Sequence, residues 1–394
     1  MHRSQGRFAC MVRYSLLLIL LCISSHILTA QVQVSGRVLN DENGEPLSNA
    51  SVYINNTTIG AVTNDKGEYV LRGILPGQYE MIVSHVGYDI IVHPISAGRE
   101  SMRITFRQVP KAKEMRDILV VTTSQRKKWL EIMRINFLGQ TSAADKCRIL
   151  NEDEIFFERT DSKEAIKAYS EVPLVIENKE LGYIVHFELQ EFFYDAIGGQ
   201  TRFYGFSRYE ELKDDPEGPA RKYQRARSRN YKGSTLHFYH ALLDNVLEKE
   251  GFSIYITLPA RGKDSILRKT PSMVADEKTA ASNEKQEPRL AIPAAPRDIL
   301  FYDSVRAMRY LAWNGILTVR FKEDPYYKTS LRNKVFIEGN LPTGFQASIR
   351  LLQKPAYIDN NGIFLNPLSV QYSGFWVYEK LANMMPINYR PGSN

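Results

Sequence analysis

The chain has 394 residues, a formal net charge of +7 and 43% hydrophobic residues. This length allows two or three domains, and this composition is ordinary for a protein with a buried core. Three of the 51 basic residues precede the first hydrophobic run, so the rest of the chain carries about +4, too little to argue for nucleic-acid binding. The 22 tyrosines and 18 phenylalanines are typical of β-strand packing.

Residues 1–30 have the pattern of a signal peptide. Basic residues lead into the apolar run Leu16–Ile23, which is too short to span a bilayer, and Ala30 suits the position before a cleavage site. The alternative is lipidation at Cys22, which the large neighbour Leu21 disfavours. Either interpretation predicts an exported protein of the periplasm or the outer membrane. No later segment has the pattern of a transmembrane helix, and membrane association of another kind stays open.

Residues 31–110 alternate between apolar and polar positions and contain turn signals such as Asn43-Gly44 and Pro76-Gly77. Many short strands at this spacing predict a β-sandwich or a barrel. Several motifs follow in order: Gly36-Arg37-Val38, Gly44-Glu45-Pro46-Leu47, Ala50-Ser51-Val52, Gly60, Thr63–Tyr69, Leu75–Tyr79 and Ser84–Tyr88. This order resembles the carboxypeptidase regulatory-like domain common in envelope proteins of the Bacteroidetes. The resemblance implies a seven-stranded β-sandwich and no reaction.

Residues 111–260 mix helical and strand patterns and predict an α+β module. The expected elements are a basic helix around Arg126–Met133, a short helix capped by Asp161 or Ser162 before Pro173, a strand at Tyr183–Leu189, a helix capped by Ser234 and ended by Gly251, and a strand at Phe252–Ile256. The whole chain is therefore expected to be mainly β with some α.

Residues 261–297 break the pattern, because Lys, Glu, Ala, Pro and Ser dominate, and a linker or mobile insertion is predicted there. Residues 298–394 are predicted to be β-rich and to pack with residues 111–260. Strands are expected at Ile316–Phe321 and Lys334–Ile337, with a turn at Asp359–Gly362.

Short motifs on both sides of this linker resemble a module found downstream of the sandwich in some Bacteroidetes proteins. They are Lys146–Asn151, Leu181–Tyr183, Tyr231–Ser234, Leu236–Phe238, Glu250–Phe252, Ile358-Asp359, Asn361-Gly362, Asn366-Pro367 and Ser373-Gly374. This second resemblance implies no particular activity.

No catalytic motif is present in the sequence. A zinc carboxypeptidase needs a His with a Glu three residues later, and none of the histidines after residue 30 has one. His237 and His240 are the only close pair, and on a helix they would share a face, with Asp244 one turn further. The interpretation preferred here is that both histidines pack beside Tyr239 and Leu243. We therefore expect no enzyme, no cofactor and no bound metal.

Four further features have a structural and a functional interpretation, and the structural one is preferred in each case. Cys147 is the one cysteine after the signal pattern and is expected to be a small buried residue. The basic stretch Arg221–Arg229 is expected to be a solvated helix face, and Trp313 and Trp376 are expected in a core rather than on a sugar-binding surface. Acidic pairs and triplets are expected to be solvated loop charges: Glu152-Asp153-Glu154, Glu210-Glu211 and Asp214-Asp215.

Three functions are compatible with these features. The first is a non-catalytic interaction or structural protein that binds a protein or glycan of the cell envelope through its C-terminal part. The second is an accessory component of a TonB-dependent outer-membrane system for uptake of nutrients or glycans, because the same sandwich precedes many such receptors. The third is an unrecognised envelope hydrolase.

Overall fold

The computed structural model describes residues 32–98, 100–112, 121–158, 160, 162, 165–197, 200–212, 221–258, 291–322 and 345–392. The signal pattern, most of the linker and the expected strand Lys334–Ile337 lie outside these residues. The architecture is mainly β with some α, as predicted. No helix within the described ranges combines the length and apolar character needed to cross a membrane.

The N-terminal part is the predicted seven-stranded sandwich. Its strands are β1 (Val32–Asn40), β2 (Ser51–Ile54), β3 (Gly60–Val62), β4 (Glu68–Ile74), β5 (Gly77–Ser84), β6 (Ile91–Ala97) and β7 (Met102–Gln108). One sheet has the order β4-β1-β7 and the other has the order β3-β2-β5-β6. Alternate side chains such as Val34, Val52 and Met81 point between the two sheets and form the core.

A six-stranded sheet with four helices follows. Its elements are α1 (Thr123–Met133), a π-helical turn (Arg134–Leu138), α2 (Ser142–Asp145), β8 (Cys147–Ile149), a 3₁₀ turn (Glu152–Glu154), β9 (Ile155–Glu158), β10 (Ala165–Ser170), β11 (Leu174–Asn178), β12 (Tyr183–Asp195), β13 (Gln200–Glu211), α3 (Arg221–Tyr231) and α4 (Thr235–Leu243). The long strand β12 pairs with β13 on one side and with both β11 and β10 on the other.

Two predictions for this region are wrong in part. The short helix expected before Pro173 is strand β10, because its alternating residues pair with β9 and β12. Ser234 does cap α4, where its hydroxyl accepts a hydrogen bond from the backbone N–H of His237. The helix ends at Leu243 rather than near Gly251, since Asn245 adopts a positive φ of 57°, which stops helix propagation.

Two smaller sheets form the C-terminal part. The elements are β14 (Phe252–Thr257), β15 (Ala291–Ala294), a 3₁₀ turn (Pro296–Asp298), β16 (Leu300–Asp303), β17 (Met308–Leu311), β18 (Ile316–Phe321), β19 (Phe345–Leu351), β20 (Ala356–Ile358), a 3₁₀ turn (Pro367–Ser369), β21 (Val370–Gly374) and two further 3₁₀ turns (Phe375–Tyr378 and Leu381–Asn383). The sheet orders are β15-β14-β18-β19-β21 and β16-β17-β20. The predicted linker therefore extends too far, because residues 291–294 form β15, which pairs with β14.

The C-terminal chain returns to the six-stranded sheet. Leu381, Ala382 and Met385 belong to the same hydrophobic cluster as α1 and β8–β13. The Asn178 side-chain amide donates to the carbonyl of Ala382, and the Asn230 amide donates to the carbonyl of Asn383. Residues before and after the linker thus share a core, although the exact domain boundaries stay a prediction.

The sandwich is also fixed to this body. The backbone N–H of Asn56 donates to Ser207, and the backbone N–H of Tyr209 donates to Thr57, so the loop after β2 pairs with the edge of β13. Beside this contact, Tyr53 and Ile82 of the sandwich pack with Phe206 of β13 in a small buried cluster.

Candidate binding surfaces

His237 and His240 lie on α4 as predicted, and both rings pack against Tyr231. Nδ1 of His237 accepts a hydrogen bond from the backbone N–H of Gly233 at 3.1 Å, and its Nε2 lies 3.1 Å from a carboxylate oxygen of Glu250. His237 therefore has a protein partner at each ring nitrogen.

His240 lies between Tyr231 and Arg390, a residue close to the C-terminus. Its Nε2 accepts from the Arg390 guanidinium, so Nδ1 carries the proton and faces the Tyr231 hydroxyl at 2.9 Å. Burial, the positive charge of Arg390 and the neighbouring His237 lower the pKa of His240 to about 3. Nowhere in the described ranges do three or more potential ligands form a metal-binding group.

Cys147, Trp313 and Trp376 are buried, in line with their predicted structural roles. Burial first, and then the charges of Glu180 and Glu177, raise the pKa of the Cys147 thiol to about 12. A thiol in this state is not a nucleophile at neutral pH.

The basic stretch on α3 departs from the prediction at Arg227. Its neighbours Arg225 and Arg229 are exposed, but Arg227 is 3% exposed. Its guanidinium donates to the carbonyls of Leu181 and Gly182. The Glu210-Glu211 pair likewise includes a structural acid, because Glu211 forms the ion pair with Arg227.

Glu152 is also paired, with Arg134 at 2.6 Å. Both line a polar cleft of about 450 Å³ between the π-helical turn and β8. Arg134 also pairs with Glu131, so the charge of this lining arginine is already compensated by two lining acids. The acids Asp214-Asp215 lie outside the described residues.

A second cleft, of about 340 Å³, lies where the sandwich meets the C-terminal part. Strands β5 and β6 form one wall, with Tyr79, Glu80 and Pro94. The loop after β20, from Asp359 to Leu365, forms the other wall together with Ile387. Its size is in the range of small-ligand sites, which often lie between domains, and its lining combines apolar with polar side chains. We call it the junction cleft.

A partly exposed row of aromatic side chains crosses the outer face of the sheet β16-β17-β20. Phe301, Tyr310 and Tyr357 are directly opposite one another in the strand register. The ring centroids are 5.5 Å apart between Phe301 and Tyr310 and 5.8 Å apart between Tyr310 and Tyr357. Phe301 is 38% exposed. We call these three residues, with Leu365 at their end, the aromatic row.

Leu365 extends the row because the chain after β20 turns back onto this strand. Ile358 bridges Phe364, and both residues are in the core, so their neighbours Tyr357 and Leu365 point to the opposite, outer face. The backbone N–H of Leu365 donates to the carbonyl of Tyr357 at 3.1 Å, and the Leu365 side chain is 56% exposed.

Neither surface was predicted from the sequence. The strand-like alternation around Phe301 and Tyr310 was available as a signal, but it does not tell which face of a strand meets solvent. The junction cleft depends on contacts between β5 and a loop nearly three hundred residues later, such as the Asn361 amide donating to the carbonyl of Gln78.

The family model described as the CarboxypepD_reg-like domain matches residues 34–120. This match confirms the domain that the sequence motifs indicated and covers the N-terminal part of the chain only. The Bacteroidetes origin and the resemblance of the C-terminal module stay predictions. No curated protein sequence matches the chain.

Several solved structures share limited similarity with this protein. The pilus 2b backbone protein of group B streptococcus is 12% identical, with 21% of this chain and 42% of that chain covered and a TM-score of 0.19. The major pilin subunit BcpA of Bacillus cereus is 11% identical, with 21% and 31% covered and a TM-score of 0.19. Catechol 1,2-dioxygenase from Acinetobacter sp. ADP1 is 12% identical, with 25% and 58% covered and a TM-score of 0.19. The chain thus spans less than two thirds of each, and TM-scores this low carry no argument about function.

Proposed function

We propose that this protein is a non-catalytic binding protein of the cell envelope and that the aromatic row is its contact surface for another protein. The observation that carries the proposal is the row itself. Three aromatic rings from three strands are aligned on an outer face, although the same strands have a second face that packs into the core.

The composition of this surface favours a protein partner. Tyrosine, phenylalanine and arginine are enriched at protein interfaces, where they supply most of the binding energy. Arg306 lies at the end of the row, with its guanidinium carbon 4.8 Å from the Tyr357 ring centre. Two further exposed apolar side chains lie close in sequence: Val305 in the turn between β16 and β17, and Leu368 three residues after Leu365.

The orientation of the rings argues against a glycan. A sugar ring stacks on an aromatic face that is open to solvent. Here the rings of Phe301 and Tyr310 are stacked at an angle of 26°, and Arg306 covers a face of Tyr357. The row therefore presents mainly ring edges, which suit apolar side chains of a protein better than sugar rings.

The envelope location and the absence of catalysis belong to the proposal. The location is supported by the signal pattern in residues 1–30. The domain matched at residues 34–120 also supports it, because the motifs of this domain resemble those common in envelope proteins. The lack of catalysis is supported by His237 and His240, whose ring nitrogens have protein partners, and by the high pKa of Cys147.

Photocrosslinking in intact native cells tests the proposal. A photoreactive phenylalanine analogue replaces Phe301, which is 38% exposed and belongs to the row, and a control variant carries it at Val62, which is 53% exposed on the sandwich edge. We expect one discrete crosslinked protein from position 301 and none from position 62, with a weaker crosslink when Tyr310→Ala is added.

Mass spectrometry of the crosslinked species identifies the partner. An outer-membrane receptor would assign the protein to an uptake system. A product of heterogeneous mass that glycosidases remove would mean that the partner is a glycan, and equal crosslinking from positions 301 and 62 would reject the aromatic row as the contact surface.

A further inference from the structure

We propose that the junction cleft is a second binding site and that it takes an alkylammonium or guanidinium group carried on an apolar stem. The proposal rests on the charges that line the cleft, on the absence of a compensating base, and on the shape of the apolar walls.

Two carboxylates belong to the lining. Glu80 lies on β5, where one carboxylate oxygen accepts a hydrogen bond from the Asn55 amide at 2.9 Å. Asp359 comes from the opposite wall and is 9% exposed. The two acids thus approach the same space from the sandwich and from the C-terminal part.

The partners of Asp359 are all uncharged. Its Oδ1 accepts from the backbone N–H groups of Asn361 and Ile363, both at 2.8 Å, and its Oδ2 receives a longer contact of 3.3 Å from the Asn361 amide. Across the part of the chain that the structure describes, neither Asp359 nor Glu80 has an ion pair, and burial raises the pKa of Asp359. A buried carboxylate without a counter-charge gains most from a cation that reaches it.

One positive charge near the cleft, that of Arg390, makes its hydrogen bonds outside the lining. Burial raises the pKa of the lining residue Tyr79, and the positive charge of Arg390 opposes this rise. Its guanidinium, however, donates to His240 and to the carbonyl of Tyr389, and it is not part of the lining. Lys, Arg and His are absent from the lining residues, so the cleft is complementary to a cation.

The apolar walls determine what carries the cation. Pro94 and Ile95 line one side, and Ile363, Phe364 and Ile387 line the other. A volume of about 340 Å³ is at the small end of the range for ligand sites. A chain of several methylene groups ending in a cation fits this combination, and it occurs both in free organic amines and in lysine side chains.

Titration of the purified mature protein with hexylammonium, followed by NMR, tests the proposal. Hexanol and hexanoate serve as the neutral and the anionic probe of the same length. We expect saturable binding of hexylammonium and at least about tenfold weaker binding of the other two, the change expected when a charge-assisted hydrogen bond is lost. A peptide with one central lysine between alanines distinguishes the two sources of the cation. Binding of the peptide would indicate a lysine side chain of a protein, and binding of hexylammonium alone would indicate a free amine.

Two charge-removing variants locate the site. Asp359→Asn keeps an oxygen that can accept from Asn361 and Ile363, and Glu80→Gln changes an exposed side chain, so it tests the site even if the first variant fails to fold. Each is expected to weaken hexylammonium binding by about tenfold, whereas Glu42→Gln, on an exposed turn of the sandwich, leaves it unchanged. Equal affinity for hexanol, or unchanged affinity in both variants, would overturn the proposal.

Discussion

Arg227 is a buried cation whose three nitrogen atoms each have a partner. Nε donates to Leu181, Nη2 to Gly182, and Nη1 to the carboxylate of Glu211 at 2.7 Å. The guanidinium also stacks on Tyr183, with its carbon 3.9 Å from the ring centre. This residue fixes the turn between β11 and β12 to helix α3.

We expect Arg227→Lys to lower the free energy of unfolding by about 3 kcal/mol, because lysine cannot reproduce the planar fork and leaves buried carbonyls without donors. Urea unfolding at neutral pH measures this change. The matched variant Arg225→Lys, on the exposed side of the same helix, should change stability by less than about 0.5 kcal/mol. Equal effects of the two substitutions would show that the contacts of Arg227 do not stabilise the fold.

Local signals predicted several single residues correctly, and Arg227 shows where they fail. Ser234 was assigned as a cap from its residue type and position alone, because capping depends on the next three residues only. The burial of Arg227 depends on carbonyls about 45 positions away. The sequence of α3 alone does not distinguish Arg227 from the other basic residues of the helix, so its burial could not be predicted.

Strands β1 and β7 approach each other closely at Gly36. The two strands are parallel, with Gly36 opposite Ile104. A Cβ atom at Gly36 would lie 1.7 Å from the carbonyl oxygen of Ile104, which also accepts a hydrogen bond from the Tyr69 hydroxyl. Only a residue without a side chain fits here.

Gly36→Ala is therefore expected to cost about 3 kcal/mol or more, because the added methyl group forces the two strands apart. Thermal unfolding followed by circular dichroism gives the change. Gly98→Ala, after β6, is the control, since a Cβ there meets no atom within 4 Å. A Gly36→Ala protein as stable as this control would contradict the packing between β1 and β7.

The regular elements differ in how well sequence predicts them. The sandwich strands were predicted well, because each is bounded by turn residues that are close in sequence. Helix α4 was predicted too long, because the apolar residues Val246 and Leu247 continue its periodicity while the chain has already left the helix at Asn245. Val246 and Leu247 contact the core from a turn. The spacing of apolar residues in the sequence is the same for such a turn and for a further turn of helix.

At the scale of the whole molecule, His240 connects α4 to the end of the chain. Arg390 donates to its Nε2, and the same C-terminal segment donates from Ile387 to the carbonyl of Asn56 in the sandwich. Residues 381–390 thus contact all three parts of the protein, and we expect the protonation of His240 to weaken their attachment.

The low pKa of His240 predicts a loss of stability in acid. Above pH 6.5, His240 is neutral in both the folded and the unfolded protein and contributes no pH dependence. Between pH 6.5 and about 3, the unfolded protein binds a proton that the folded protein does not, so the free energy of unfolding falls by up to about 1.4 kcal/mol per pH unit.

Urea unfolding of His240→Gln between pH 7 and pH 4 isolates this effect. The variant is expected to be less stable at pH 7, because it loses the imidazole packing, but to show a shallower decline with acid. The control Tyr389→Phe changes a ring that also packs on Tyr231 but stays protonated throughout this range, so it should keep the slope of the unchanged protein. Parallel curves for the unchanged protein and His240→Gln would contradict the assignment of the slope to His240.

The sequence by itself determined the sandwich, the mainly β class and the helices around Arg126 and Ser234, because turn residues, caps and alternation act over a few neighbouring positions. Only the tertiary structure decided which arginine is buried, how Phe301, Tyr310 and Tyr357 align, and where Glu80 faces Asp359. These features depend on contacts between segments that are distant in sequence, and the packing of whole sheets determines which segments make contact. The two surfaces proposed for binding are both of this second kind.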